Sequence, residues 1–259
     1  MYAQPTFIVF MEESTSMLSA QDITERLSHV HAQIRQAQRE AGRTGEQVDL
    51  MLAVKYQPLA AILAAASTGE QLFGHNIVQQ LCTVAPALKE ANAPAKHCVI
   101  GPVQSNKLRA AMDNAHRIDT VDSLQQAERI ARRQEARIKE GLADGPFPIL
   151  LQINSANAVG QSGCAPDEAY DIARRISHID LVRIDGVMTI GAHSTERAVI
   201  RASFDLTRQL SAEIRSLPGL SHADVISMGM TQDLDVAIAA GSTLVRVGTA
   251  IFGARPTPA

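Results

Sequence analysis

Residues 226–253 read ISMGMTQDLDVAIAAGSTLVRVGTAIFG. An apolar run ends at Ser227 and breaks into the turn Met228-Gly229-Met230. A helix is expected from near Thr231, and a second apolar run, Thr243–Val247, ends in Gly248-Thr249. Two strands joined through a helix belong side by side and parallel. Working outward, the same unit recurs. Apolar runs at Leu50–Val54, Gln71–Phe73, Lys96–Ile100, Arg117–Val121, Ile149–Ile153, Arg183–Thr189, Ala223–Ser227 and Thr243–Val247 are each followed by a helical pattern. Most are continuous rather than alternating, as strands covered on both faces require. Eight repeats predict a single (β/α)₈ barrel of the α/β class. Ahead of them, Ser19 with Asp22 marks a helix start, and Ile23, Leu27, Val30, Ile34 and Ala37 recur at helical spacing.

The chain has 259 residues, 46% of them hydrophobic, enough for one full-size core. Residues 19–259 are expected to form the barrel domain and residues 1–18 a flexible tail. Phe7–Met11 is too short for a signal-peptide core and has no basic stretch before it. A net charge of -3 and 3% aromatics give no reason to expect nucleic acid or an anionic membrane surface. The run RIARRQEARIKE at 129–140 reads as a solvated helix face. Cys82, Cys98 and Cys164 are scattered, without metal-ligand spacing, and fit a reducing cytoplasm.

In such a barrel, function gathers where strands end in loops. Lys55 stands there after the first run, flanked by Val54 and Tyr56, whose apolar surface suits amine chemistry on a carbonyl. The turns at Ser227–Met230 and Gly248-Thr249 offer backbone N–H groups with little side chain in the way, which suits a phosphate. An amine facing a phosphate site points to pyridoxal 5'-phosphate. Replacing Gly248 by a bulky residue is then expected to block the phosphate while the fold survives. Arg246, on the last strand, reads either as a partner of an interior acid or as a contact to a ring nitrogen. His75 has no carboxylate spaced to pair with it, and no Ser-His-Asp order, nucleotide loop or metal site is present.

The segments LMLAVKYQP (50–58), FGHNIVQQL (73–81), HCVIGPVQSNK (97–107), IDTVDSLQQAERI (118–130), IDGVMTI (184–190) and the final stretch resemble the pyridoxal phosphate homeostasis proteins, in family order from about residue 20 to 255. The resemblance implies a barrel of the alanine-racemase N-terminal type. It implies that Lys55 holds the cofactor as an aldimine and that Ser227, Gly229, Met230, Gly248 and Thr249 form the phosphate turns. Arg246 then faces the ring nitrogen, Asn76 lies near the cofactor, and Ser162 belongs to a weaker matching element. His75 stands where the family usually has Glu, and Gln161 where it often has Lys; both are expected in rim loops. The implied role is a monomeric carrier that holds pyridoxal phosphate and supplies it transiently to apo-enzymes. No catalytic residue or metal is assigned. The alternative is a racemase of the same fold, but racemases carry a second domain with an opposing base, for which no room is expected here.

Overall fold

The computed structural model describes residues 18–253. Helix α1 (Ala20–Glu40) opens it, and Ser19 caps it as expected. The Ser19 hydroxyl accepts the Asp22 amide at 3.1 Å, and the Asp22 carboxylate accepts the Ser19 amide at 2.9 Å. The stripe Ile23, Leu27, Val30, Ile34 and Ala37 is buried. Leu18 packs on the same cluster; the rest of the expected tail, residues 1–17, lies outside the described residues.

Eight strands follow: β1 (Asp49–Ala53), β2 (Leu72–His75), β3 (Lys96–Val99), β4 (Arg117–Val121), β5 (Phe147–Gln152), β6 (Val182–Met188), β7 (Val225–Ser227) and β8 (Leu244–Val247). They alternate with α2 (Leu59–Ser67), α3 (Val78–Glu90), α4 (Leu108–Asn114), α5 (Leu124–Lys139), α6 (Ala169–Ile176), α7 (Arg197–Arg215) and α8 (Leu234–Ala239), before a last short helix, α9 (Thr249–Phe252). The strands are parallel and close in chain order, with β8 pairing back onto β1. The weakest expected strand, Gln71–Phe73, proves longer. Gly74 and His75 continue its ladder opposite Cys98 and Val99.

Two apolar clusters fill the space between barrel and helices, one of them built where α1 lies over β1, β8 and the residues Leu234, Ile238, Ile251 and Phe252. Fully buried side chains there, such as Leu52 and Ile62, each contribute roughly 1.5–3 kcal/mol. Inside the barrel Met51, Cys98 and Leu244 form a smaller cluster. Beside it Arg117 holds the fully buried Asp119 through two bonds of 2.6 and 3.0 Å. The barrel interior is therefore partly ionic. No helix among the described residues is long and apolar enough to cross a membrane.

Candidate cofactor-binding site

Successive backbone contacts bring the predicted site residues from β7, β8, β1 and β2 onto one arc of the C-terminal rim. The Arg246 amide donates to Gly229 O at 2.9 Å, joining the turn after β7 to β8. Val247 pairs with Leu52, joining β8 to β1. The Val54 amide donates to Gly74 O at 3.0 Å, joining β1 to β2. The Asn76 side-chain amide then reaches Ile100 O across the β2–β3 gap, at 3.4 Å.

Lys55 emerges half-buried one residue after Val54. Its loop is fixed from below, because the Gln80 side chain donates to Val54 O at 2.9 Å and to Gln57 O at 3.1 Å. Tyr56 takes φ 62°, a left-handed conformation uncommon for a bulky residue. That turn sets the Lys55 ammonium 5.1 Å from the Tyr56 ring centre, within cation–π range.

Arg246 is buried under this arc. Its guanidinium donates to Ser227 O at 2.8 Å, to the Ser227 hydroxyl at 2.7 Å and to Thr189 O at 2.8 Å. Burial lowers its pKa to about 10, with the Asp119 and Asp233 carboxylates working against that fall, so it stays cationic near neutrality. Of the two sequence readings, no direct carboxylate partner is found for Arg246 among the described residues. It is fixed chiefly by carbonyl oxygens of β7 and of the residue after β6.

The two glycine turns answer first to packing. At Gly229, φ is +95° and a Cβ would lie 2.5 Å from Ala237 Cβ, against α8. At Gly248 a Cβ would lie 2.7 Å from Ala53 O, in the β8–β1 seam. Substituting Gly248 therefore strains barrel closure itself, so a loss of stability is expected alongside the block to the phosphate. Beyond Gly248, the Ile251 and Phe252 amides donate to Gly248 O, whereas the Thr249 and Ala250 amides find no backbone acceptor among the described residues.

Three further expectations change. The helix expected from Thr231 begins at Leu234. Asp233 closes a turn first: its carboxylate accepts the Met230 amide at 2.6 Å and its own amide donates to Met230 O at 3.2 Å. The Met230 amide, assigned to the phosphate, thus already has a partner. His75 is not in a rim loop; it ends β2 with no exposed surface, facing the helix layer. Its Nε2 lies 3.0 Å from His97 Nδ1, while His75 Nδ1 has no partner. Gln161 does sit in a rim loop, bridging to Gly191 O at 3.0 Å, and Ser162 contributes its carbonyl to Gln152 there. No sequence spacing points to Thr189 or to the His75–His97 pair, and Asp233, three residues beyond Met230, lies where the sequence suggests a helix already under way.

Burial, and then each histidine's neighbouring imidazole, depresses His75 to about 3 and His97 to about 4. Both fold neutral, whereas unfolded histidines take protons below about 6.5. The unfolded chain binds more protons between roughly pH 6.5 and 4, so this stability is present above that window and lost as pH falls through it. Stability measured by urea titration should drop by about 5 kcal/mol from pH 7 to 4.5. His75→Phe should flatten the drop, and a wild-type midpoint independent of pH would refute the pair's neutrality.

A cavity of about 780 Å³ opens at the opposite, N-terminal mouth, lined by Asp49, Leu72, Arg117, Leu244 and others. It lacks the amine and the free amides. Most of its arginines are engaged: Arg43 with Glu46, Arg117 with Asp119 and Arg201 with Asp205. No cluster of three metal-ligating side chains occurs among the described residues.

Residues 26–256 match the family described as alanine racemase, N-terminal domain. A pyridoxal phosphate homeostasis protein of Pseudomonas aeruginosa is 35% identical over 90% of this chain and 96% of its own length. The one from Escherichia coli K12 is 33% identical, over 90% and 97%. PipY of Synechococcus elongatus PCC7942, solved with PLP bound, superposes with a TM-score of 0.75 at 29% identity, covering 89% of this chain and all of that one.

Proposed function

This chain belongs to the pyridoxal phosphate homeostasis protein family, built on the alanine racemase N-terminal domain, and we propose that it holds pyridoxal phosphate at the C-terminal mouth of its barrel and passes it to apo-enzymes. The residues present fit that group. Lys55 brings an amine to the rim, the Arg246 guanidinium is buried under the same arc, and the Thr249 and Ala250 amides lack backbone acceptors among the described residues. When bound, pyridoxal phosphate supplies an aldehyde that reacts with amines and a phosphate dianion that anchors it. Lys55 provides the amine, held by the Gln80-pinned loop. The amides of Thr249 and Ala250, with the turn at Ser227–Met230, receive the phosphate. Arg246 offers donors only and, being already cationic, accepts no proton from a ring nitrogen.

The observation that carries the non-enzymatic side of this reading is the position of His75. A racemase needs a second acid–base group opposite the lysine, and such a partner typically contributes ~10²–10⁴-fold in rate. His75 is buried on the helix-facing side of β2 with its pKa depressed to about 3, so it cannot serve. Tyr56 is the remaining candidate of the racemase reading. The expected result is that loaded protein restores activity to a pyridoxal-phosphate-dependent apo-enzyme, while chiral chromatography detects no racemisation of common L-amino acids. Racemisation at ordinary enzymatic rates, abolished in Tyr56→Phe, would replace the carrier reading with the enzymatic one.

A further inference from the structure

Asp233 is the N-cap residue of α8, yet its side chain caps nothing in that helix. A carboxylate at this position ordinarily accepts the amide two or three residues ahead, here Asp235 or Val236. Instead it turns back, is nine-tenths buried, and accepts the Met230 amide at 2.6 Å. That amide belongs to the turn assigned above to the phosphate. Resting on that reading of the site, we propose that Asp233 is a resident competitor for the phosphate, an internal anion that occupies the Met230 amide when the ligand is away and thereby sets how readily pyridoxal phosphate is released.

The carboxylate accepts the Met230 amide behind it, and no side-chain cap bond occupies the first turn of α8 ahead. Two anions cannot share one amide without strong repulsion, so a phosphate dianion arriving at Met230 displaces the carboxylate. The uncapped first turn of α8 is placed to receive it, which offsets part of the displacement cost. In the reverse direction the carboxylate returns to Met230 as phosphate leaves. Charged groups bearing on Asp233 include Arg246, which attracts it, and Asp235, which repels it. Asp235 is itself tied to Arg197. Burial raises the Asp233 carboxyl pKa, the mark of a charge kept out of water at a cost. A carboxylate that competes for the Met230 amide gives the phosphate a faster exit.

Asp233→Asn keeps an acceptor for the Met230 amide and removes the charge. Asp233→Ser also removes it and leaves a residue that caps helices well, which protects against loss of the turn. Inorganic phosphate, measured by titration calorimetry, and pyridoxal phosphate, measured by absorbance, should bind about tenfold tighter to both variants. Release of pyridoxal phosphate should slow by a similar factor. A merely structural Asp233 predicts the opposite sign, a looser turn with weaker binding and faster release. Unchanged or weaker binding in both variants, with wild type binding pyridoxal phosphate, overturns the role of Asp233 alone. Wild type that binds no pyridoxal phosphate overturns this inference together with the reading of the site.

Discussion

Borohydride treatment of cofactor-loaded protein is expected to leave a stable adduct on Lys55 and on no other lysine. Lys55→Ala is expected to retain pyridoxal phosphate at least ~100-fold more weakly, about 2.7 kcal/mol. The expectation rests on position. Lys55 follows the strand that pairs with β8 on one side and β2 on the other, and its loop is pinned by Gln80. The Tyr56 turn holds the ammonium beside an aromatic face rather than letting it sweep through solvent. Peptide mass analysis after reduction locates the adduct, and equilibrium dialysis measures retention. An adduct on a different lysine, or undiminished retention by Lys55→Ala, would remove Lys55 from the role.

Gly248→Val should damage both the fold and the mouth. Its first side-chain carbon would sit 2.7 Å from the Ala53 carbonyl oxygen, which is backbone and cannot swing aside. Overpacking of this kind typically costs ~1–3 kcal/mol. It also displaces β8 from β1 just below the loops that carry Lys55 and Thr249, so melting temperature and pyridoxal phosphate retention should fall together. Thr249→Ala, at an exposed residue, should weaken retention with little change in melting. If Gly248→Val melts as wild type does, the seam is more yielding than its geometry indicates. If it also binds as wild type does, the phosphate lies elsewhere.

The fold was legible because its signals are local. The Ser19–Asp22 box and the stripe from Ile23 to Ala37 need only neighbours three or four residues away, and each apolar run announces a strand without reference to its partner. The rim positions of Lys55 and Gly248 were legible for a related reason, since each sits just beyond the end of a run. What escaped depends on register or on a reversal of the chain. Thr231-Gln232-Asp233 looks like the start of a helix. Only in three dimensions does the Asp233 carboxylate turn back to Met230 and delay α8 to Leu234. His75 was placed in a loop because the strand run ended at Phe73. The ladder with β3 extends the strand and turns the imidazole towards His97, two rungs down on the neighbouring strand.

The pairing of β8 with β1 also governs when this protein can fold. The seam joins Asp49–Leu52 to Leu244–Val247, contacts separated by nearly the whole described chain. Loop-closure entropy makes such distant pairings late and slow. During synthesis at ~5–20 residues per second, β1 is complete for roughly ten to forty seconds before its partner has been made. Throughout that interval an apolar strand edge has no neighbour on one side, open to pairing with other nascent chains. The rim formed where β1 and β8 end side by side cannot exist until that wait is over. A ribosome-bound chain stalled before β8 should therefore be sticky, protease-sensitive and unable to take up pyridoxal phosphate.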